Sequence, residues 1–386
     1  MKRLAKHMQK IQPFRVMALL DEAKKLESEG RSIIHMEVGE PDFITPEPII
    51  EAGIQALQQG KTHYTPASGE PALREVISQY YQDSFNVTVP ASRIIITPGA
   101  SGALQLALSV LVDPDDKVVM ADPGYPCNRN FVYLLGGKVQ AIDVGVESGF
   151  QITAELLQQH WTDDSRVLLL ATPSNPTGTL IDKKEMSAIL KFVHEKNGTV
   201  IVDEIYQGLV YTDDEYSALA LSDSIFVINS FSKYFGMTGW RVGWIVVPES
   251  YFHEVDKLAQ NLYLAAATPS QEAALSAFKP ETVKILKQRR LEYQQRRDYL
   301  ISELKSLGFI IKVIPQGAFY IYADCTALTN DSLKFCDDVL HKAGVAITPG
   351  LDFGIHCPEQ YVRFAYTTEI EKLKQAVSRL KDYLAA

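Results

Sequence analysis

Cysteine is scarce in this chain, with 4 among 386 residues. Cys127, Cys325, Cys336 and Cys357 are far apart and form no C-x-x-C pair. Neither a zinc site nor a disulfide framework is indicated, and the four read as reduced thiols of a cytoplasmic protein. Positive charge is also short. The 38 Lys and Arg against 47 Asp and Glu leave a net charge of -9, which argues against a nucleic-acid partner, since a phosphate backbone needs a basic face. No apolar run approaches the length of a membrane span. The start Met1-Lys2-Arg3-Leu4-Ala5-Lys6 has the charge of a secretory leader, but Pro13 and Arg15 break the apolar stretch that should follow. Internal repeats, low-complexity tracts and the G-x-G-x-x-G spacing of a dinucleotide site are all missing. What remains is an ordinary globular composition, 46% hydrophobic and 22% charged. The length suits one large domain plus a smaller one, or two comparable ones.

The middle of the chain alternates. Apolar runs at 94–96, 117–120, 138–142, 167–170, 200–202, 225–228 and 242–247 read as strands, and 99–111 and 182–195 as helices between them. Strands that are apolar throughout, separated by amphipathic helices, imply an α/β protein with a mostly parallel seven-stranded sheet covered on both faces. Ahead of it, helices are predicted over 14–30, with Gly30 as the stop, over 48–59 and over 70–85. Beyond residue 250 the pattern shifts to long helices, and the charged stretch from Lys284 to Lys305 reads as a solvated helix face. Strands near 310–314, 318–322 and 361–365 and a last helix over 369–384 predict a compact α+β unit. The expected division is a large domain over 46–280 and a small domain built from both termini, 1–45 and 281–386.

In a parallel sheet ligands bind beyond the carboxyl ends of the strands, so the residues after each strand carry the chemistry. After 225–228 stands Ser230-Phe231-Ser232-Lys233, with Arg241 eight positions on. A lysine there becomes a nucleophile for carbonyls when desolvation or a nearby cation lowers its pKa. Two serines and an arginine suit a phosphate group. Together they suggest pyridoxal phosphate. The segment Thr97-Pro98-Gly99-Ala100-Ser101-Gly102 opens a helix, whose free N–H groups and positive dipole end make a ready phosphate site. Asp122-Pro123-Gly124-Tyr125-Pro126 presents Tyr125 either as a face for a planar ring or as a capping hydrophobe. Asn175, in Ser174-Asn175-Pro176, supplies an amide from a turn. In Asp203-Glu204-Ile205-Tyr206 a carboxylate ends a buried strand and needs a cationic partner to stay ionised. Tyr206 faces the same way if the chain turns helically.

Five strand ends that deliver these groups in this order, together with Gly39-Glu40-Pro41-Asp42-Phe43, Ser174-Asn175-Pro176-Thr177-Gly178 and Gly239-Trp240-Arg241, make the sequence resemble the class I/II aminotransferases. These belong to the aspartate aminotransferase superfamily of pyridoxal-phosphate enzymes with fold type I, and the resemblance runs along nearly the whole chain. It implies that Lys233 carries the cofactor as a Schiff base and then moves the proton between substrate Cα and the cofactor. It implies that Asp203 holds the pyridine nitrogen protonated, so that the ring acts as an electron sink. Asn175 and Tyr206 would bond the phenolic oxygen, and Tyr125 would stack on the ring. The phosphate would be held by Gly99, Ala100, Ser101, Ser230, Ser232 and Arg241, and by a tyrosine from the neighbouring subunit that Tyr64 matches in position, which makes a homodimer part of the site. Arg363 would grip the substrate carboxylate, with Gly39 closing over it.

The implied activity is transfer of an amino group from an L-amino acid to a 2-oxo acid, 2-oxoglutarate being the expected acceptor, in a ping-pong cycle through pyridoxamine phosphate. Some aspartate-using relatives carry a lysine where this chain has Ser101, so the donor is open among aspartate, alanine, aromatic and branched amino acids. Arg15 or Arg129 would be the substitutes for that lysine. Two other readings share the same residues. A carbon–sulfur lyase or other α,β-eliminating enzyme uses the same lysine, aspartate and arginine. The effector-sensing domain of a transcription regulator predicts a DNA-binding module ahead of the pattern, which this chain enters too early to contain.

Overall fold

The structure, a computed structural model, describes residues 4–13 and 15–386. The basic start Met1-Lys2-Arg3 and Phe14, first position of the expected 14–30 helix, lie outside them. Seven strands form the main sheet: Ile94–Thr97, Lys117–Asp122, Lys138–Asp143, Ser165–Ala171, Thr199–Asp203, Phe226–Ser230 and Gly243–Val246. Across the sheet their order is first, seventh, sixth, fifth, fourth, second, third. Gly243–Val246 runs against its two neighbours, and the remaining pairs are parallel.

Side chains on a strand alternate between faces, and the apolar runs feed two cores at once. Ile94, Ile96, Leu168, Leu170, Val200, Val202 and Val227 pack on one face. Ile95, Val167, Leu169, Ile201, Phe226 and Ile228 pack on the other. This double burial explains why the strands read as unbroken apolar runs rather than as alternation. Helix Gly99–Leu111 buries its small and leucine face on the second core. Helix Lys183–Glu195 starts where the Asp182 carboxylate accepts from the backbone N–H of Lys184 and Glu185, which meets donors the helix leaves free.

A second, antiparallel sheet has the order Thr348–Pro349, Tyr361–Ala365, Tyr320–Asp324. Helices Pro280–Ser306, Ser332–Asp338 and Ile370–Ala385 accompany it, and Leu300, Leu304, Phe309, Phe335, Phe364, Leu373 and Leu380 share its core. Ile34–His35 pairs in parallel with Val345–Ala346, which attaches the segment after helix Arg15–Ser28 to this unit.

Two expectations change. The strand near 310–314 is a single bridge, Ile310 to Asp324. Past it the chain leaves the sheet, and the N–H groups of Gln316 and Gly317 donate to the Gly178 carbonyl. Ala318, expected within a strand, sits at φ 57 and donates to Leu209, so the strand starts only at Tyr320. The charged helix face is also not wholly solvated. Arg296 is 1% exposed and bonds Asp42 at 2.8 Å and Glu292 at 2.6 Å, tying the long helix to the turn that follows Gly39.

Candidate active site

The carboxyl ends of the central strands and the edge of the second sheet enclose a cavity of about 270 Å³. Of the expected site residues, Gly39, Ala100, Ser101, Tyr125, Asn175, Asp203, Tyr206, Ser232, Lys233, Arg241 and Arg363 line it. Gly99 lies just behind, in the backbone that opens its helix, with φ +71. A Cβ there would fall 2.5 Å from an Arg241 guanidinium nitrogen, so only glycine lets the arginine reach the helix start. Ser230 stands off the cavity wall: its Oγ lies 2.9 Å from Ser232 Oγ and accepts from the Ser232 N–H at 3.1 Å. Tyr64 is 81% exposed and outside the cavity of its own chain.

Lys233 Nζ donates to the Gly39 carbonyl at 2.6 Å. Burial lowers its pKa to about 8, and the nearby cations Arg363 and Arg241 push in the same direction, opposed by Glu40 and Asp203. A lysine held this way is neutral, and so nucleophilic, in a far larger fraction of molecules than a solvated one. Asp203 shows the converse. Burial raises its carboxyl to about 6, against a hydrogen bond from the Ile205 N–H and the attraction of Lys233. A buried carboxylate with so little cationic support fits a site that receives a ring cation.

Arg363 is 2% exposed and its guanidinium lies over the Tyr320 and Phe353 rings, 4.3 and 4.7 Å from their centroids. Nη1 donates to Asn175 Oδ1 at 2.9 Å, Nη2 donates to the Glu37 carbonyl, and Nε finds no hydrogen-bond partner among the described residues. A buried, unsatisfied donor on a cavity-lining guanidinium fits an incoming carboxylate. The helix start at Gly99, with Ser101, Ser232 and Arg241, is the donor set a phosphate requires.

Several cavity residues gave no signal in the sequence. Tyr320 has its hydroxyl 2.8 Å from that of Tyr206, and Val16, Met17, Leu104 and Ile205 supply apolar lining. In a buried strand a tyrosine reads as core, and contacts spanning 114 residues leave no local trace. Of the two arginines considered for a distal carboxylate, neither lines the cavity. The Arg129 guanidinium donates to the Phe353 carbonyl at 2.9 Å, and Arg15 is exposed.

A lysine and an aspartate at neighbouring ends of a doubly covered sheet share this cavity with Ser101, Ser232 and Arg241, an arrangement that suits a pyridoxal-phosphate-dependent transferase. The model of the class I and II aminotransferases matches residues 31–380, and the chain belongs to that family. It is 38% identical over 384 residues to (5-formylfuran-3-yl)methyl phosphate transaminase of Methanocaldococcus jannaschii, covering 99% of both chains. Valine–pyruvate aminotransferase of Mycobacterium tuberculosis is 36% identical over 97% of both. The crystal structure of an aminotransferase from Mycobacterium tuberculosis superposes with a TM-score of 0.96 at 36% identity, covering 100% of each chain. The protein is an aminotransferase that depends on pyridoxal phosphate and moves an amino group from an L-amino acid to a 2-oxo acid.

Proposed function

We propose that Lys233 is the residue that binds the cofactor covalently and moves the reacting proton, and that Asp203 holds the ring nitrogen cationic. Pyridoxal phosphate supplies an aldehyde that condenses with amines and a ring that withdraws electrons from Cα. The observation that carries the assignment is the convergence on one cavity of Asp203 and Lys233, from the ends of two consecutive strands of the main sheet, and Arg363, from the second sheet. In this reading Asn175 and Tyr206 bond the phenolic oxygen, Tyr125 stacks on the ring, and Ser101, Ser232 and Arg241 hold the phosphate with the Gly99 and Ala100 backbone. Ser230 orients Ser232 from behind, as their 2.9 Å contact suggests. Arg363 takes the substrate carboxylate, and Gly39 covers it.

The donor we favour is a monocarboxylic amino acid with an apolar side chain. Val16, Leu104 and Ile205 line the cavity, while Arg129 is engaged by the Phe353 carbonyl and Ser101 carries no charge. The Mycobacterium tuberculosis valine–pyruvate aminotransferase is the relative whose name fits this reading. Single amino acids added to the holoenzyme without an oxo acid test it. Stoichiometric conversion of the cofactor to pyridoxamine phosphate by valine or alanine supports transamination of such donors, whereas continuous ammonia release would indicate elimination. A second panel pairs the best donor with 2-oxoglutarate and with pyruvate.

We further propose a cytoplasmic homodimer in which Tyr64 of the partner subunit completes the phosphate site. Supporting this are the exposure of Tyr64, the exposed Ile44, Ile54 and Leu57 nearby in sequence, and four cysteines that are all free thiols. The large domain is taken as 46–280 and the small one as 1–45 with 281–386. Light scattering of the holoenzyme, and the cofactor affinity of Tyr64→Phe, test the shared site.

A further inference from the structure

Tyr320 is 1% exposed, belongs to the second sheet, and touches three residues of the proposed site. Its hydroxyl lies 2.8 Å from the Tyr206 hydroxyl, in a fully buried contact. Its ring carries the Arg363 guanidinium at 4.3 Å. Its hydroxyl also presses on Gly39, where a Cβ would fall 1.8 Å from the phenolic oxygen. Between two bare phenols either oxygen can be the donor, so the pair has no fixed sense. A phenol has only one proton. Once Tyr206 gives its proton to an acceptor in the cavity, Tyr206 can only accept from its neighbour, and Tyr320 must donate.

We propose that Tyr320 is a positioning residue that fixes the direction of the Tyr206 hydroxyl, forming a relay in which Tyr320 donates to Tyr206 and Tyr206 donates to the phenolic oxygen of the cofactor. This rests on the placement of the cofactor under Proposed function. Hydrogen bonds in series polarise one another in a low-dielectric interior, so Tyr206 becomes a stronger donor than it would be alone. The phenolic oxygen carries its charge with least compensation when the Schiff-base nitrogen on Lys233 has lost its proton. A stronger donor to that oxygen therefore favours the deprotonated form and lowers the pH at which the chromophore titrates. The Arg363 stacking uses the ring and not the hydroxyl, so the two roles separate by substitution.

The test is the pH titration of the cofactor absorbance of the holoenzyme in four forms: unaltered, Tyr320→Phe, Tyr206→Phe and the double variant. Tyr320→Phe keeps the ring beneath Arg363 and is expected to raise the midpoint by roughly half a pH unit. Tyr206→Phe raises it more, and adding Tyr320→Phe to that variant produces no further shift, because the relay is already cut. An unmoved midpoint in Tyr320→Phe, or an equal shift on the Tyr206→Phe background, overturns the relay. Circular dichroism accompanies each variant, and Tyr320→Met, which also removes the donor, serves if the phenylalanine variant does not fold. Failure of the underlying cofactor placement gives a different result: Tyr206→Phe itself leaves the midpoint unmoved, or the unaltered protein shows no titrating absorbance.

Discussion

Arg363 Nη1 donates to Asn175 Oδ1 at 2.9 Å across 188 residues of sequence, joining a strand of the second sheet to the turn after a strand of the first. The bond leaves the guanidinium anchored on one edge, with Nε unpartnered among the described residues. A charge-assisted hydrogen bond contributes about 1.5–3 kcal/mol. Arg363→Ala should therefore lower kcat/KM for the amino donor by one or two orders of magnitude while the absorbance of the bound cofactor is retained. Unchanged kinetics would show that the carboxylate is held elsewhere.

Asp203→Asn keeps the shape of the side chain and removes its charge. Without a carboxylate the ring nitrogen is no longer held cationic, and kcat is expected to fall by about 10²-fold or more, the scale seen when one electrostatic partner of a transition state is removed. Steady-state kinetics with saturating cofactor measure this. A variant with native kcat would remove Asp203 from the mechanism.

How much of this was legible from residues alone follows from where each signal lives. Strand ends are readable because doubly buried strands are apolar throughout and stop at Gly, Pro or Asn turns, as at Gly99 and Asn175, or at a charged residue, as at Asp203. Local chemistry at Lys233 and Arg241 was readable because the two share one loop. Residues 310–314 read as a strand because Ile310, Ile311, Val313 and Ile314 have strand-like composition, but only Ile310 pairs, with Asp324, and the chain beyond it is drawn away by bonds from Gln316, Gly317 and Ala318 to Gly178 and Leu209, far away in sequence. Tyr320 was invisible for the same reason: its meaning is set by Tyr206, Arg363 and Gly39, none of them a sequence neighbour. The burial of Arg296 depends on Asp42 in the same way.

Glu204, next to Asp203, points away from the cavity and is wholly buried, accepting from the Ser217 hydroxyl at 2.9 Å and the Ala218 N–H at 2.6 Å. Desolvation raises its carboxyl from 4.5 to about 8 despite these bonds. The folded state thus binds this proton more tightly than the unfolded chain, so the contribution of Glu204 is fully present below pH 4.5 and is lost as pH rises to about 8. Glu204→Gln cannot ionise and should gain on the unaltered protein across that window, by on the order of a few kcal/mol. Urea unfolding of both proteins at pH 5 and pH 8, the two ends of the practical range, measures the change, and a stability difference independent of pH contradicts it.

The chemistry assigned to the site depends on which amine carries the cofactor. Borohydride reduction of the holoenzyme followed by peptide mass spectrometry should place a phosphopyridoxyl group on the peptide that contains Lys233, and Lys233→Ala should yield none. A label on any other lysine, or a native label in the Lys233→Ala protein, would contradict it.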